Sequence, residues 1–164
     1  MALHRRRLGT YLNDHLAAAT GGHELAKRAA AANTGSEYGI FLEGLAGEVA
    51  EDRETLRAVI RALGIREDPL KKAGGWAGEK LGRLKTNGQL TGYSPLSRLV
   101  ELEGLAVVAA FNRSLWTNLE AVRAGDARLA PFDVAELRAR AERQLAGLEE
   151  HRVRAAIPAL TDAV

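Results

Sequence analysis

The chain contains four long segments in which apolar residues recur every three or four positions. These segments span residues 8–33, 37–63, 95–123 and 134–157. An apolar stripe at that spacing is typical of an amphipathic helix that packs one face against a core. The pattern predicts an all-α fold, in which four helices form a single bundle domain over residues 8–160 after a basic N-terminal arm of residues 1–7.

Helix start signals support three of these segments. Thr34 lies three residues before Glu37, which is the spacing of a capping box for the second helix. Ser94 precedes Pro95, and a serine cap followed by proline at the first helical position favours a start there. Asp133, three residues before a glutamate, predicts the cap of the fourth helix.

The helix ends and the long connection are also marked in the sequence. Gly64 predicts a left-handed Schellman ending for the second helix, and Pro158 is expected to limit the fourth. About 30 residues join the second and third helices, which is long for a compact domain. Within them the spacing of apolar residues predicts a short extra helix over residues 69–85. The sequence leaves open whether this connection crosses the length of the bundle or stays at one end.

Two segments depart from the simple amphipathic pattern. Gly21 and Gly22 lie within the first helix, and Gly44 and Gly47 lie in the second. Small residues of this kind predict either a close approach of two backbones or a kink. The third helix is apolar nearly all round between residues 105 and 111, which is typical of a helix covered on every side. Either the long connection or another subunit is expected to cover this helix, and we favour a homo-oligomer, with a dimer preferred, over a monomer.

Composition restricts the classes of function. The 164 residues include no cysteine, which excludes disulfides, thiolate metal sites and a cysteine nucleophile. No apolar run reaches the roughly 18 residues of a membrane span, so we expect no membrane partner and a cytoplasmic location. The formal net charge is +2, which gives no reason to expect a nucleic-acid partner. The sequence does not identify a protein partner.

Ionisable residues interrupt the apolar stripes of all four helices. Burying a carboxylate or an imidazole is costly unless the group is paired or bound to a metal. Acids and histidines that face inward from several helices of one bundle are how di-metal carboxylate sites are built. The inward-facing candidates are Glu48 and Asp52 in the second helix, Glu103 in the third, His151 in the fourth, and His15 or His23 in the first.

This arrangement resembles the ferritin-like superfamily over roughly residues 8–157. In that superfamily the second and fourth helices each carry a Glu-x-x-His motif, and the first and third each add a glutamate. Asp52 falls at the second helix's histidine, with Val49 at its glutamate, and His151 falls at the fourth helix's histidine, with Leu148 at its glutamate. Glu103 matches the third helix's glutamate. The resemblance implies the fold, but both metal motifs are degenerate.

The two topologies bring different residues to one level of the bundle, at about 1.5 Å of rise per residue. A crossing connection groups His23, Glu48, Glu103 and His151. A connection that stays at one end groups His15, Asp52, Glu103 and His151. Either set is also explained by histidine–carboxylate pairs that satisfy one another without a metal, and such pairs can fix helix register.

The favoured function is therefore a non-catalytic, oligomeric binding or structural module that needs no cofactor. The alternative is a di-metal carboxylate–histidine protein for iron handling or oxygen-dependent oxidation. In that case Glu48, Asp52, Glu103 and His151 are the ligands and iron or manganese is the metal. A third and weaker hypothesis is an enzyme that uses His151 with Glu103 as an acid/base pair.

Overall fold

The computed structural model describes residues 3–68 and 93–161, which form four long helices and no strand. The helices are α1 (Arg5–Ala32), α2 (Glu37–Ala62), α3 (Pro95–Val122) and α4 (Val134–Leu160). Two single-turn 3-10 helices, Arg123–Gly125 and Ala127–Leu129, join α3 to α4. The predicted all-α, four-helix architecture is confirmed. The extra helix predicted over residues 69–85 lies outside the described residues.

Contacts between helices define the direction of each one. The start of α3 lies beside the end of α1, where Arg28 pairs with Glu101, and the end of α3 lies beside the start of α1, where Asn118 bonds to Tyr11. Since α2 also runs antiparallel to α1, α2 and α3 are parallel. The connection between them therefore begins at one end of the bundle, at residue 68, and finishes at the other, at residue 93.

Helix caps explain most of the boundaries. Ser94 Oγ accepts a hydrogen bond from the Ser97 amide at 3.0 Å, and Asp133 Oδ1 accepts one from the Glu136 amide at 3.0 Å, as predicted. Gly64 has φ of 64°, and the next amide donates to the Ile60 carbonyl at 3.0 Å, which confirms the Schellman ending.

Three boundaries differ from the sequence prediction. The cap of α2 is Ser36, whose Oγ accepts from Gly39 N at 3.2 Å, whereas Thr34 Oγ1 donates to a carbonyl of α1. The arginines of the predicted arm form the first turn of α1, since the helix begins at Arg5. Pro158 lies inside the last turn of α4 and does not end it. A proline there removes only one of the final helical hydrogen bonds.

Glycine allows α1 and α3 to approach closely. A Cβ atom added to Gly22 would lie 2.6 Å from Val108 Cγ1, which is far inside van der Waals contact. The sequence predicted either a close approach or a kink here; the structure shows a close approach, and the helix that α1 approaches is α3. Gly44 and Gly47 on α2, the partners considered from the sequence, have open space around them.

The core consists of two apolar clusters with polar side chains between them. One cluster lies at the end of the bundle where α1 turns into α2, and it includes Leu25, Leu42, Leu102 and Leu148. The other lies at the opposite end and includes Leu12, Leu56, Trp116 and Leu137. Along α2, α3 and α4 the residues that separate the two clusters are Asp52, Asn112 and Gln144.

Candidate functional site: a polar layer across the bundle

The polar layer, which we define as Asp52, Asn112, Arg140 and Gln144, lies at the middle of the bundle. Asp52 is 2% exposed and belongs to the apolar stripe of α2, so its carboxylate points into the core. Arg140 reaches inward from α4 and donates to Asp52 Oδ1. Gln144 Nε2 donates to Asp52 Oδ2 at 3.0 Å. Both carboxylate oxygens therefore have an N–H donor.

The electrostatics of Asp52 depend on opposing effects. Burial raises the pKa of its carboxyl group, because the charged form loses its hydration. The hydrogen bond from Gln144 and the positive charge of Arg140 oppose that rise in pKa. Arg140 also donates to Glu51 Oε2 at 2.9 Å, at the outer edge of the layer. The guanidinium thus supplies the positive charge that a buried carboxylate needs.

Sequence reasoning identified Asp52 but missed the other members of the polar layer. Gln144 lies three residues after Ala141 and four before Leu148, so the helical spacing of α4 already places it on the core stripe. Asn112 lies midway between Leu105 and Leu119 on α3 and is equally detectable. Arg140 is off the stripe, and only the long reach of its side chain brings the guanidinium inward.

Two of the predicted ligands face solvent. Glu48 is exposed, although its Oε2 accepts from Gln144 Nε2 at 3.1 Å at the edge of the layer. Glu103 is exposed on the outside of α3, and the prediction that it faces the interior is wrong. The buried stripe of α3 runs through Leu102 and Leu105. The helix is apolar nearly all round, which made the register of its stripe ambiguous.

His151 is half-buried and stacks on Phe41. The ring centroids are 3.9 Å apart and the planes differ by 12°. Its Nδ1 lies 2.8 Å from the Gly147 carbonyl, one turn earlier in α4, so Nδ1 carries the proton in that bond. Tyr38 approaches edge-on, with centroids 5.8 Å apart. His151 has no hydrogen bond to a carboxylate among the described residues.

His15 is fully buried, at 0% exposure, and stacks on Phe111 with ring centroids 3.7 Å apart. Tyr11 packs edge-on against it, with centroids 4.5 Å apart. Neither ring nitrogen has a hydrogen-bond partner in the described part of the chain. Burial lowers the pKa of His15 to about 4, with a smaller opposing effect from the negative charge of Asp14. His15 is therefore neutral at pH 7.

His23 is partly buried between α1 and α2. Its Nδ1 is 3.2 Å from Arg53 Nη1 and 3.4 Å from Glu24 Oε1. Burial lowers the pKa of this imidazole, and the positive charge of Arg53 adds to that effect. The contact with Glu24 is the one histidine–carboxylate pair found among the described residues, and it lies away from the polar layer.

The structure therefore separates most of the predicted site residues. Asp52 and Glu48 share one partner, Gln144, whereas Glu103, His15, His23 and His151 lie elsewhere. Over residues 3–68 and 93–161, no three histidine, aspartate or glutamate side chains come close enough to hold a metal ion. The donors around Asp52 are N–H groups, which fit a carboxylate and do not fit a cation.

A second polar network, which the sequence analysis did not identify, lies where α1 meets α3. Buried Glu101 accepts from Arg28 at 3.1 Å and from the Tyr93 hydroxyl at 2.9 Å. The Tyr93 oxygen in turn accepts from Asn33 Nδ2 at 2.8 Å, and Asn33 Oδ1 accepts from Arg98 at 2.6 Å. This network attaches Tyr93 to the end of α1.

A basic groove lies at the opposite end of the bundle. It has a volume of about 600 Å³, and its lining includes Arg5, Arg6, Arg66 and Asp68. Asn13 shapes one wall, because it donates to the Arg66 carbonyl at 3.1 Å and accepts from the Asp68 amide at 2.7 Å. No carboxylate in the described ranges forms an ion pair with any of these three arginines. The groove thus carries three positive charges against one negative charge.

Comparisons of the chain with protein-family models, with curated proteins and with solved structures each find no match. None of the four long helices, nor any other described helix, is long and apolar enough to cross a membrane.

Proposed function

We propose that this protein is a non-catalytic helical module of ferritin-like architecture that acts in the cytoplasm as a homo-oligomeric binding or structural unit. The observation that carries the proposal is the pairing of Asp52 with Arg140 and Gln144. An arginine charge and an amide satisfy the core carboxylate, so the layer needs no metal to be stable. The parallel direction of α2 and α3 supports the ferritin-like part of the proposal.

Large apolar side chains that are exposed to solvent among the described residues support the oligomeric part of the proposal. Val153, Ile157 and Leu160 recur at helical spacing along the last turns of α4 and are 58%, 68% and 68% exposed. Clusters of this kind often mark protein interfaces. A second copy of the chain is the partner that we propose for this face.

Metal analysis tests the non-catalytic assignment. Purified, tag-free protein is exposed to ferrous iron, manganese or zinc, passed over gel filtration and analysed for bound metal. We expect folded protein with far less than one metal ion per chain. Retention of one or two ions per chain that is lost in Asp52→Asn, but kept in Glu43→Gln on the exposed face of the same helix, would overturn the proposal.

Sedimentation velocity tests the oligomer. We expect a concentration-dependent dimer in the native protein and a shift toward monomer in the double variant Val153→Ser/Ile157→Ser. Ala121→Ser changes an exposed apolar residue near the end of α3, outside the apolar segment 105–111, and serves as the control. A native protein that remains monomeric at all concentrations contradicts the oligomeric part of the proposal and leaves the metal test unaffected.

The basic groove supports a more specific binding role, in which the module binds a small polyanion. Within residues 3–68 and 93–161 its three arginines have no carboxylate partner, whereas Arg138, Arg140 and Arg152 elsewhere are ion-paired. Guanidinium groups that converge on a concave surface favour phosphate or carboxylate ligands. The volume of the groove also lies in the range of small-molecule sites.

Calorimetric titration with inorganic pyrophosphate at low and at moderate salt tests this binding role. We expect binding that weakens with salt and that falls at least about tenfold in Arg6→Gln/Arg66→Gln. Arg113→Gln/Arg143→Gln removes the same charge from other surfaces and is expected to bind like the native protein. Equal loss in both double variants would mean that net charge, not the groove, attracts the anion.

A further inference from the structure

A small internal cavity lies beside the polar layer. Its volume is about 10 Å³, which is at the lower limit for one water molecule. All four helices contribute to its wall, which is apolar except for Asn112 on α3 and Gln144 on α4. Each of these two side chains is 3% exposed. The cavity therefore lies in the core and has two buried polar side chains in its wall.

The orientation of the Gln144 amide follows from its partners. Its Nε2 donates to Asp52 at 3.0 Å and to Glu48 at 3.1 Å, and only the NH₂ end of the amide can donate to two carboxylates. The other end, Oε1, is therefore the acceptor. It is buried and receives no hydrogen bond from any described protein group.

The side-chain amide oxygen of Asn112, on α3, is in the same situation as that of Gln144. Its Oδ1 is buried and has no donor among the described residues. Buried amide oxygens are almost always hydrogen-bonded, to protein or to internal water. Both residues line one cavity of about the size of a water molecule, so a single donor inside it is the simplest way to satisfy both oxygens.

We propose that this cavity binds one structural water molecule, which donates one hydrogen bond to Gln144 Oε1 and the other to Asn112 Oδ1. A water molecule has two donors, which matches the two acceptors. A cation is a poorer occupant, because the remaining wall is apolar and the charge of Asp52 is already offset by Arg140. The water connects Asn112 on α3 to the hydrogen-bonded part of the polar layer on α2 and α4.

The native protein provides the first test, so no variant has to fold for the proposal to be decided. In a high-resolution crystal structure we expect an electron-density peak at about 2.7–3.2 Å from both oxygens. In solution, relaxation dispersion of water oxygen is expected to show an internal water that exchanges more slowly than the protein tumbles. Two crystallographic outcomes overturn the proposal: a dry cavity in which Asn112 is turned to donate directly to Gln144 Oε1, or a peak that scatters anomalously after a rubidium soak.

A pair of variants assigns the solution signal to this cavity. Asn112→Leu removes one acceptor and fills the space, so the slow water signal is expected to disappear. Asn118→Leu, on the exposed face of the same helix, is the matched control and is expected to retain the signal. A signal of equal strength in Asn112→Leu would assign the slow water to another place and overturn the proposal.

Discussion

Two histidines in this bundle have nearly the same aromatic surroundings and very different polar ones. His15 and His151 each stack on a phenylalanine of another helix, with ring centroids 3.7 and 3.9 Å apart, and each has a tyrosine edge-on. His151 keeps part of its surface in solvent and bonds through Nδ1 to a carbonyl. In the described part of the chain, His15 has neither contact with solvent nor a hydrogen-bond partner for its ring nitrogens.

This comparison shows that a stacking partner does not decide the chemistry of an imidazole. An aromatic face offers dispersion and apolar contact, but it does not replace water around a ring that must take up a proton. His15 therefore behaves as an apolar core residue at neutral pH. The same pair of contacts leaves part of the His151 ring in contact with solvent.

Truncation to alanine is expected to give the largest difference between the two histidines, in the loss of free energy of unfolding. His15→Ala removes a fully buried ring and is expected to lower the free energy of unfolding by about 4 kcal/mol, in the range for large buried side chains. His151→Ala removes a half-buried ring and is expected to cost roughly 1 kcal/mol. Urea unfolding followed by circular dichroism measures both. Equal losses would mean that the aromatic contacts, which are of the same kind at both rings, determine how much each histidine contributes to stability.

Acid pH should affect stability through His15. Its pKa is about 4 in the folded protein against 6.5 for the ordinary side chain, so the unfolded chain binds the proton first as pH falls. The contribution of neutral His15 to the free energy of unfolding is fully present above about pH 6.5 and is lost progressively as the pH falls toward 4. The loss is expected to reach roughly 3 kcal/mol, since one pKa unit corresponds to about 1.4 kcal/mol.

His15→Leu provides the matched variant for the pH measurement. It keeps an apolar side chain in the same place and has no titratable group. Urea unfolding between pH 7 and pH 4 is expected to show a smaller loss of stability in the variant than in the native protein. If the two curves run parallel over that range, His15 is not the group responsible.

Removing the Phe111 ring that stacks on His15 is expected to bring the pKa of His15 closer to that of an ordinary histidine. Phe111 is 39% exposed, so Phe111→Ala opens a path from solvent to the buried ring. We expect the pKa of His15 to rise from about 4 toward 6.5 and the stability at pH 7 to fall by roughly 1–2 kcal/mol. Two-dimensional NMR of the imidazole gives the pKa. An unchanged pKa would show that other parts of the core keep water away.

The smallest expected effect concerns the stack of His151 on Phe41. A Cβ atom at Gly147 would lie 2.8 Å from Phe41 Cε2, whereas a Cβ at Gly44 meets nothing within 4 Å. Gly44→Ala is therefore expected to raise the melting temperature, by the equivalent of about 1 kcal/mol of helix propensity. Gly147→Ala is expected to give no net gain, because the ring must move. A gain of equal size at both positions would show that the ring moves at no cost.

Much of the fold could be predicted from local chemistry. The caps at Ser94 and Asp133 and the ending at Gly64 depend on neighbouring residues, and the structure confirms them. At Thr34 the capping pattern was ambiguous, because Ser36 two residues later also suits a cap. The direction of α3 relative to α2 depends on contacts between distant residues, so no local pattern could decide it.

The candidate site was harder to predict than the fold. Asp52 stands on a clear apolar stripe, so its burial could be read from spacing alone. Glu103 was misplaced because α3 offers apolar residues on nearly every face, and no stripe then fixes the register. The partner Arg140 could not be found by spacing, since its backbone lies beside the stripe and only its guanidinium is close to the core.

The parallel arrangement of α2 and α3 has a consequence for the order of folding. Contacts within the α3–α4 hairpin join residues as few as 18 apart, as in the pair of Arg138 with Glu120. Contacts between α1 and α3 join residues 73 and 107 apart. Because closing a long loop is entropically costly, each hairpin is expected to form before the two dock. The fit of Gly22 against Val108 then belongs to the late docking step, so packing errors there would slow assembly of the bundle without preventing the hairpins from forming.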